Sequence, residues 1–375
     1  MKRWIASCSA LALSAVLLAG CSSGIEKPRP AALQQLSAPV TLQPAWSQRV
    51  GEARFPLRLA VAGGVVVTAS DDGSVAAFDL ASGAPRWRGQ VDARLSAGVG
   101  SDGRYAAVVT DRNEVVAFDQ GRVLWRLPVP AKVVTAPLVA GERVFVQGVD
   151  RAVHAFDVLD GRRLWVFQRA GDALTLAQPG VLQPVANTLW AGVGPRLVAL
   201  EPVRGQLKQD VIVATPRGGN EVERLADLVA PPARVGDMVC VRSFQTAVSC
   251  IDTARGALVW TKTQSGFQGV AADDALVVGG DASDRLIAWR RNNGEVFWRA
   301  DQFVYRQLTA PAILGKHVVV ADREGHVHLL SRLDGRTVGR LSLDGGGIVT
   351  PPVAAGGRLV VATRNGTLQV YSAAD

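Results

Sequence analysis

Few residues in this chain have the types and spacing that chemistry needs. Its four histidines are His154, His317, His326 and His328. Only the last two are close, alternating along one expected strand so that both can face the same side. Two imidazoles without a nearby third ligand do not complete a tetrahedral zinc site, so a structural or surface role is expected for them. Asp71-Asp72-Gly73-Ser74 and Asp273-Asp274 are acidic enough to attract calcium. Both stand in expected turns, however, and lack the spaced carboxylates and terminal Glu of a calcium loop. No Gly-x-Ser-x-Gly elbow and no phosphate-cradling glycine loop stands between a strand and a helix. The expectation is a chain with no catalytic residues, no metal and no cofactor.

What recurs instead is a structural phrase. Ala77-Phe78-Asp79 is followed by Gly83 and Trp87, and the same spacing returns at Ala155-Phe156-Asp157 with Gly161 and Trp165, and at Cys250-Ile251-Asp252 with Gly256 and Trp260. Asp and Gly suit a tight turn at the end of a strand, and the Trp opens the next strand with a large side chain to bury. The Asp position falls at Asp79, Asp119, Asp157, Glu201, Asp252, Arg290, Ser331 and Ser372, with successive differences of 40, 38, 44, 51, 38, 41 and 41. That period matches a four-stranded propeller blade and excludes shorter repeat units. Upstream of each Asp lies hairpin grammar, such as Val65-Val66-Val67-Thr68, a polar turn, then Val75-Ala76-Ala77-Phe78. Pro137, Pro232, Pro311 and Pro352 each precede the Asp position by twenty residues and are expected where a blade opens.

The fold class expected is all-β, an eight-bladed β-propeller of four-stranded antiparallel blades. The last copy stops at Tyr371-Ser372-Ala373-Ala374-Asp375, without its Gly and Trp strand. At the other end, Pro44-Ala45-Trp46 followed by Val50 matches Pro85-Arg86-Trp87 followed by Val91. The N-terminal strand is therefore expected to complete the last blade and close the ring, which leaves only short edges.

Ahead of the repeats, Met1-Lys2-Arg3 and the apolar run from Leu11 to Ala19 read as a signal peptide, too short to span a membrane. Its end, Leu18-Ala19-Gly20-Cys21, resembles the lipobox of bacterial lipoproteins. The resemblance implies cleavage before Cys21 and lipidation of that residue, and Ser22 in the next position implies sorting to the outer membrane. Residues 1–20 are thus assigned as signal, 21–40 as a lipidated flexible tether and 41–375 as the propeller. Export permits disulfides, and Cys240 and Cys250 stand on the two arms of one expected hairpin. A two-residue turn at Gln245-Thr246 would face them apart, while a three- or five-residue loop would pair them. Both a bridge and two buried small hydrophobes are compatible with the spacing.

The chain is 48% apolar and 20% charged, with a formal net charge of +8; this composition excludes a disordered segment and supports a large core. The basic residues are dispersed in turns such as Arg162-Arg163 and Arg290-Arg291. They lack the interleaved aromatic platforms of a single-strand binder, so nucleic acid is not an expected partner.

The repeated Ala-x-Asp-x-x-x-Gly-x-x-x-Trp phrase resembles that of quinoprotein-type propellers, in which each Trp docks on the neighbouring blade. Enzymes of that type also carry adjacent cysteines, calcium-binding acidic residues and a longer chain, so a quinoprotein-like enzyme or ligand-binding propeller is the second reading. With its lipobox, short tether and eight blades, the chain is more similar to the BamB family, the propeller lipoproteins of the outer-membrane β-barrel assembly machinery. The 51-residue spacing carries an insertion, Thr215 to Asp227, in which Arg224, Leu225 and Asp227 resemble that family's Arg-Leu-x-Asp-x-Asp loop, with Val229 departing at the second Asp. Leu174 and Leu176 resemble its Leu-x-Leu-Arg segment, with Ala177 departing at the Arg. The resemblance implies a non-catalytic scaffold in the outer membrane. It also implies that these two loops form an exposed docking surface for BamA periplasmic domains, alongside other assembly subunits and unfolded outer-membrane protein precursors.

Overall fold

The computed structural model describes residues 28–169, 174–343, 346–348 and 350–373. The signal segment and Cys21 lie outside the described residues. The rest forms eight four-stranded antiparallel sheets arranged in a ring, the propeller that the repeat spacing predicts. Blade 1 spans residues 60–90, blade 2 100–128, blade 3 138–167, blade 4 182–212, blade 5 228–263, blade 6 271–300 and blade 7 312–342. Blade 8 joins residues 353–373 to the strand Leu42–Arg49. First strands of successive blades lie side by side at the centre, and each blade's fourth strand is outermost. Second and third strands are almost wholly buried, as in Tyr105–Val109 and Glu114–Asp119, because neighbouring blades cover both faces.

Most blades fasten to the next through a turn glycine and a facing Trp. The Asp79 carboxylate accepts the Ala81 and Ser82 amides at 3.0 and 2.9 Å, closing the turn after the third strand. Gly83 then adopts φ +72°, and a Cβ there would lie 2.6 Å from the Trp46 ring of blade 8. Glycine is thus required twice, for its left-handed backbone and for the close approach. The Trp46 indole N–H donates to Leu80 O at 3.0 Å. The same bond recurs from Trp125 to Val158, Trp165 to Pro202, Trp260 to Arg291 and Trp298 to Arg332. At Asp119 a two-residue turn, Gln120-Gly121, absorbs the shorter spacing.

Ring closure follows the expectation. Leu42–Arg49 pairs antiparallel with Thr367–Ala373, with Trp46 opposite Val370 and Arg49 opposite Thr367. Pro137, Pro311 and Pro352 immediately precede first strands. Pro232 differs, lying inside the strand Leu228–Val235 where pairing breaks between Val229 and Ala233, an edge position that tolerates the missing donor. Ser243 pairs with Ala247, leaving a three-residue loop; Cys240 and Cys250 are therefore opposite and joined as a disulfide. The tether boundary also moves. Residues 31–40 pack with the ring instead of standing apart from it, for reasons set out below. Because the strand Leu42–Arg49 supplies the whole outer edge of blade 8, deleting residues 41–49 should expose a pairing edge. The expected outcome is an oligomeric or unfolded ring by light scattering and thermal melting; a monomer with an unchanged melt would refute this mode of closure.

Candidate partner-docking site

In an antiparallel blade the turn between second and third strands lies on the same face as the connection to the next blade. Leu174 and Leu176 lie on the blade 3 to blade 4 connection and the Thr215–Asp227 insertion on the blade 4 to blade 5 connection, so both belong to this upper face. Between them stands Arg151, in the second turn of blade 3, held at φ +65°. Its guanidinium donates from Nε and Nη2 to the two Asp227 carboxylate oxygens at 2.7 and 3.1 Å, and from Nη2 to Leu174 O at 3.2 Å. One side chain therefore joins two loops that are more than fifty residues apart in sequence.

This geometry corrects the expected role of Asp227. It is only 9% exposed, so it is not a free charge awaiting a partner. The carboxylate is already engaged by Arg151, and its backbone O accepts the Phe244 amide at 2.9 Å. Val229 is buried in the first strand of blade 5, where a second Asp would lack solvent. Leu174, Leu176 and Leu225 are half-buried, while Arg224 is exposed. Spacing alone did not reveal Arg151 or Val222, the latter 69% exposed. Val222 rides on a single helical turn capped reciprocally: the Glu223 amide donates to Asn220 Oδ1 at 2.9 Å and Glu223 Oε2 accepts the Gly219 amide at 2.7 Å. An Asn followed three residues on by Glu is the capping signal that could have located this turn. The result is a bracket of two connectors joined through Arg151, which between them carry half-buried leucines, exposed Val222 and exposed Arg224, residue types suited to binding a protein surface.

A profile for the family described as "Outer membrane protein assembly factor BamB" matches residues 71–300 and 306–375. The chain belongs to the BamB family. A Bordetella pertussis relative described as "Outer membrane protein assembly factor BamB" is 37% identical, with 95% of this chain and 94% of that protein aligned. The crystal structure of BamB from Moraxella catarrhalis superimposes with a TM-score of 0.79 at 22% identity, covering 88% of this chain and 100% of that one. The quinohemoprotein alcohol dehydrogenase of Comamonas testosteroni gives 0.65 at 14% identity, over 88% of this chain and 76% of that one. BamB proteins and quinoprotein enzymes thus share the fold, and residues rather than architecture separate them.

The histidines that could have been ligands lie elsewhere on the upper face, in blade 7. His326 and His328 do share a face, their rings 6.0 Å apart. The spacing missed Asp322 and Glu324, whose ligand atoms fall within 4.8 Å of that of His326. Arg306 already occupies this group. It is 4% exposed and donates to Asp322 at 2.8 Å and to Glu324, so a divalent cation would meet a buried positive charge. His328, fully buried, sits 2.9 Å from Asp322 through Nε2, while Arg340 Nε approaches its Nδ1 at 3.4 Å. The arginine can only donate, so Nδ1 accepts and Nε2 carries the proton toward Asp322. Asp71 and Asp72 lie in the second turn of blade 1, and Asp273 and Asp274 in a turn of blade 6 paired with Arg332.

Two expectations follow. Asp227→Ala or Arg151→Ala should each cost about 2 kcal/mol, because a mostly buried charge loses its partner. The double variant should cost little more than either alone in urea melts; full additivity would mean that the pair is not coupled. The second concerns pH. Burial holds His328 below its ordinary 6.5 despite Asp322, and burial likewise lowers His154 and His317. Burial alone would raise Asp322, but bonds from His328, the His326 amide and Arg306 hold it at about 2. The unfolded chain therefore binds more protons, first below about pH 6.5 and again below about pH 4. Stability should fall through both windows as pH drops, and His328→Asn should lessen the first fall, leaving the share of His154 and His317; equal stability of the parent at pH 7 and pH 5 would refute this.

Proposed function

We propose that this chain is an assembly factor for outer-membrane proteins, a scaffold that docks on BamA periplasmic domains through the bracket around Arg151. On this reading Cys21 bears the lipid, residues after it connect the anchor to the ring, and the propeller works in the periplasm beside the other assembly subunits. Membership of the BamB family supports the process. The single observation that supports the place is the Arg151 bridge, which ties the Leu174 backbone to Asp227, the residue that ends the loop bearing Val222, Arg224 and Leu225. A surface assembled from two connectors and held by a charge pair is pre-organised, so little ordering cost opposes binding. Delivery of unfolded precursors would then follow from scaffolding the insertase.

Titration of purified BamA periplasmic domains against variants tests this. Arg224→Ala and Val222→Asp change exposed positions and should leave stability within about 0.5 kcal/mol of the parent. Combined with Leu176→Ala, they should weaken binding by at least ~2 kcal/mol, roughly thirtyfold. Unchanged affinity in the triple variant, with an intact melt, would move the docking site off this bracket.

A further inference from the structure

Seven blade junctions place the fourth-strand side chain of one blade against the turn glycine of the next, from Gly83 round to Gly335. The junction from blade 7 to blade 8 cannot, because the third and fourth strands of blade 8 come from opposite ends of the chain and no turn joins them. Blade 7 correspondingly carries Gly339 where the others carry Trp or Gln. That space is not vacant. A Cβ at Gly339 would lie 2.3 Å from Val40 O, and the Val40 amide donates to Val338 O at 2.7 Å.

From Val40 the chain can be followed back along the outer strand of blade 7. Arg340 Nη1 donates to Gln34 O at 3.1 Å. The Ala31 amide donates to Val304 O at 2.9 Å, and buried Arg306 donates from Nη1 to Ala31 O at 2.8 Å. Ala31, Leu33, Leu36 and Val40 are half-buried while most residues between them are exposed, so one side of the segment faces the blade. Arg306 is itself fixed by Asp322 and Glu324, so its remaining donor points at a set place. A buried guanidinium with two carboxylates and one backbone carbonyl has its hydrogen-bonding capacity well used.

We propose that residues 31–40 are a strap that locks blade 7 to blade 8 in place of the missing indole, with Arg306 as its clasp. The strap crosses from the upper face, at Ala31, to the start of the closing strand at Leu42. A pull on the chain upstream of Ala31 is therefore borne by Arg306 and blade 7 before it reaches the strand Leu42–Arg49, which alone closes the ring. A lipid at Cys21 would supply such a pull; that consequence rests on the anchoring reading, whereas the strap itself does not.

Hydrogen exchange on the full-length protein in detergent tests the strap independently of any anchor or partner. In the parent, the Ala31 and Val40 amides, which donate to Val304 O and Val338 O, should exchange about tenfold more slowly, read amide by amide, than in an unstructured chain of the same sequence. Gly339→Trp, which restores the residue of the other blades, should abolish that protection while the strands of blades 1–4 keep theirs. Because an added indole can disturb blade 7 itself, a second variant lacks residues 31–38. Its closing strand, residues 42–49, should exchange about tenfold faster than in the parent, with the ring still monomeric. Unprotected exchange at the Ala31 and Val40 amides in the parent, or an unchanged closing strand in the deletion, would overturn the proposal.

Discussion

The ring depends on one contact, an indole of one blade seated on the left-handed glycine turn of the next. Each Trp buries roughly 200 Å² and so contributes on the order of 5 kcal/mol before ordering costs. Its N–H would be costly to bury unpaired, and for five of the six junction indoles a turn carbonyl on the next blade accepts it, from Leu80 O round to Arg332 O. The Asp that closes the turn, the Gly that bends it and the Trp that covers it form one unit split between neighbours. No blade can satisfy its own indole, which is why the repeats fold together and not singly.

The two exceptions are informative. At the junction from blade 4 to blade 5, Gln209 replaces Trp, and its Oε1 is buried without a hydrogen-bond partner among the described residues. That junction also carries the longest connection between blades. The bracket around Arg151 therefore adjoins a junction that lacks its indole, and the Arg151–Asp227 pair offsets part of what the indole does not supply. At the junction from blade 7 to blade 8 there is no turn to receive an indole, and backbone from residues 31–40 takes its place. In both cases the departure from the repeat coincides with a contact that occurs once in the ring.

Periodicity made the blades, their number and the closing strand legible, because each Asp, Gly and Trp sits at a fixed distance from the others in sequence. The Cys240–Cys250 pairing needed only the loop length, which the sequence left between two and five residues and the structure places at three. Arg151 was illegible for the opposite reason. Its partner Asp227 is 76 residues away, and nothing in a repeat of about forty residues specifies a contact that occurs once. The same holds for Arg306 and Ala31, separated by 275 residues. Asp227 was misread as exposed because a lengthened polar loop suggests a surface, whereas this one folds back to place its last carboxylate against an arginine.

These buried cations share a logic that links stability to the working face. Arg242 of blade 5 is fully buried and donates to Gln264, Ser265, Gln268 and Gly280 carbonyls, and burial lowers its pKa to about 10. Arg306 clasps the strap, and Arg151 joins the docking loops. All three act on the connections between blades on the upper face, the part of a propeller that regular pairing does not hold. A guanidinium suits this task because its fork reaches several backbone carbonyls or carboxylates in fixed directions. Apolar packing would cover such loops but would leave their carbonyls unsatisfied. The strands thus supply stability through the indole lock, while a few buried arginines convert the variable connections into a surface of defined shape. That separation leaves the connections free to change without disturbing the lock.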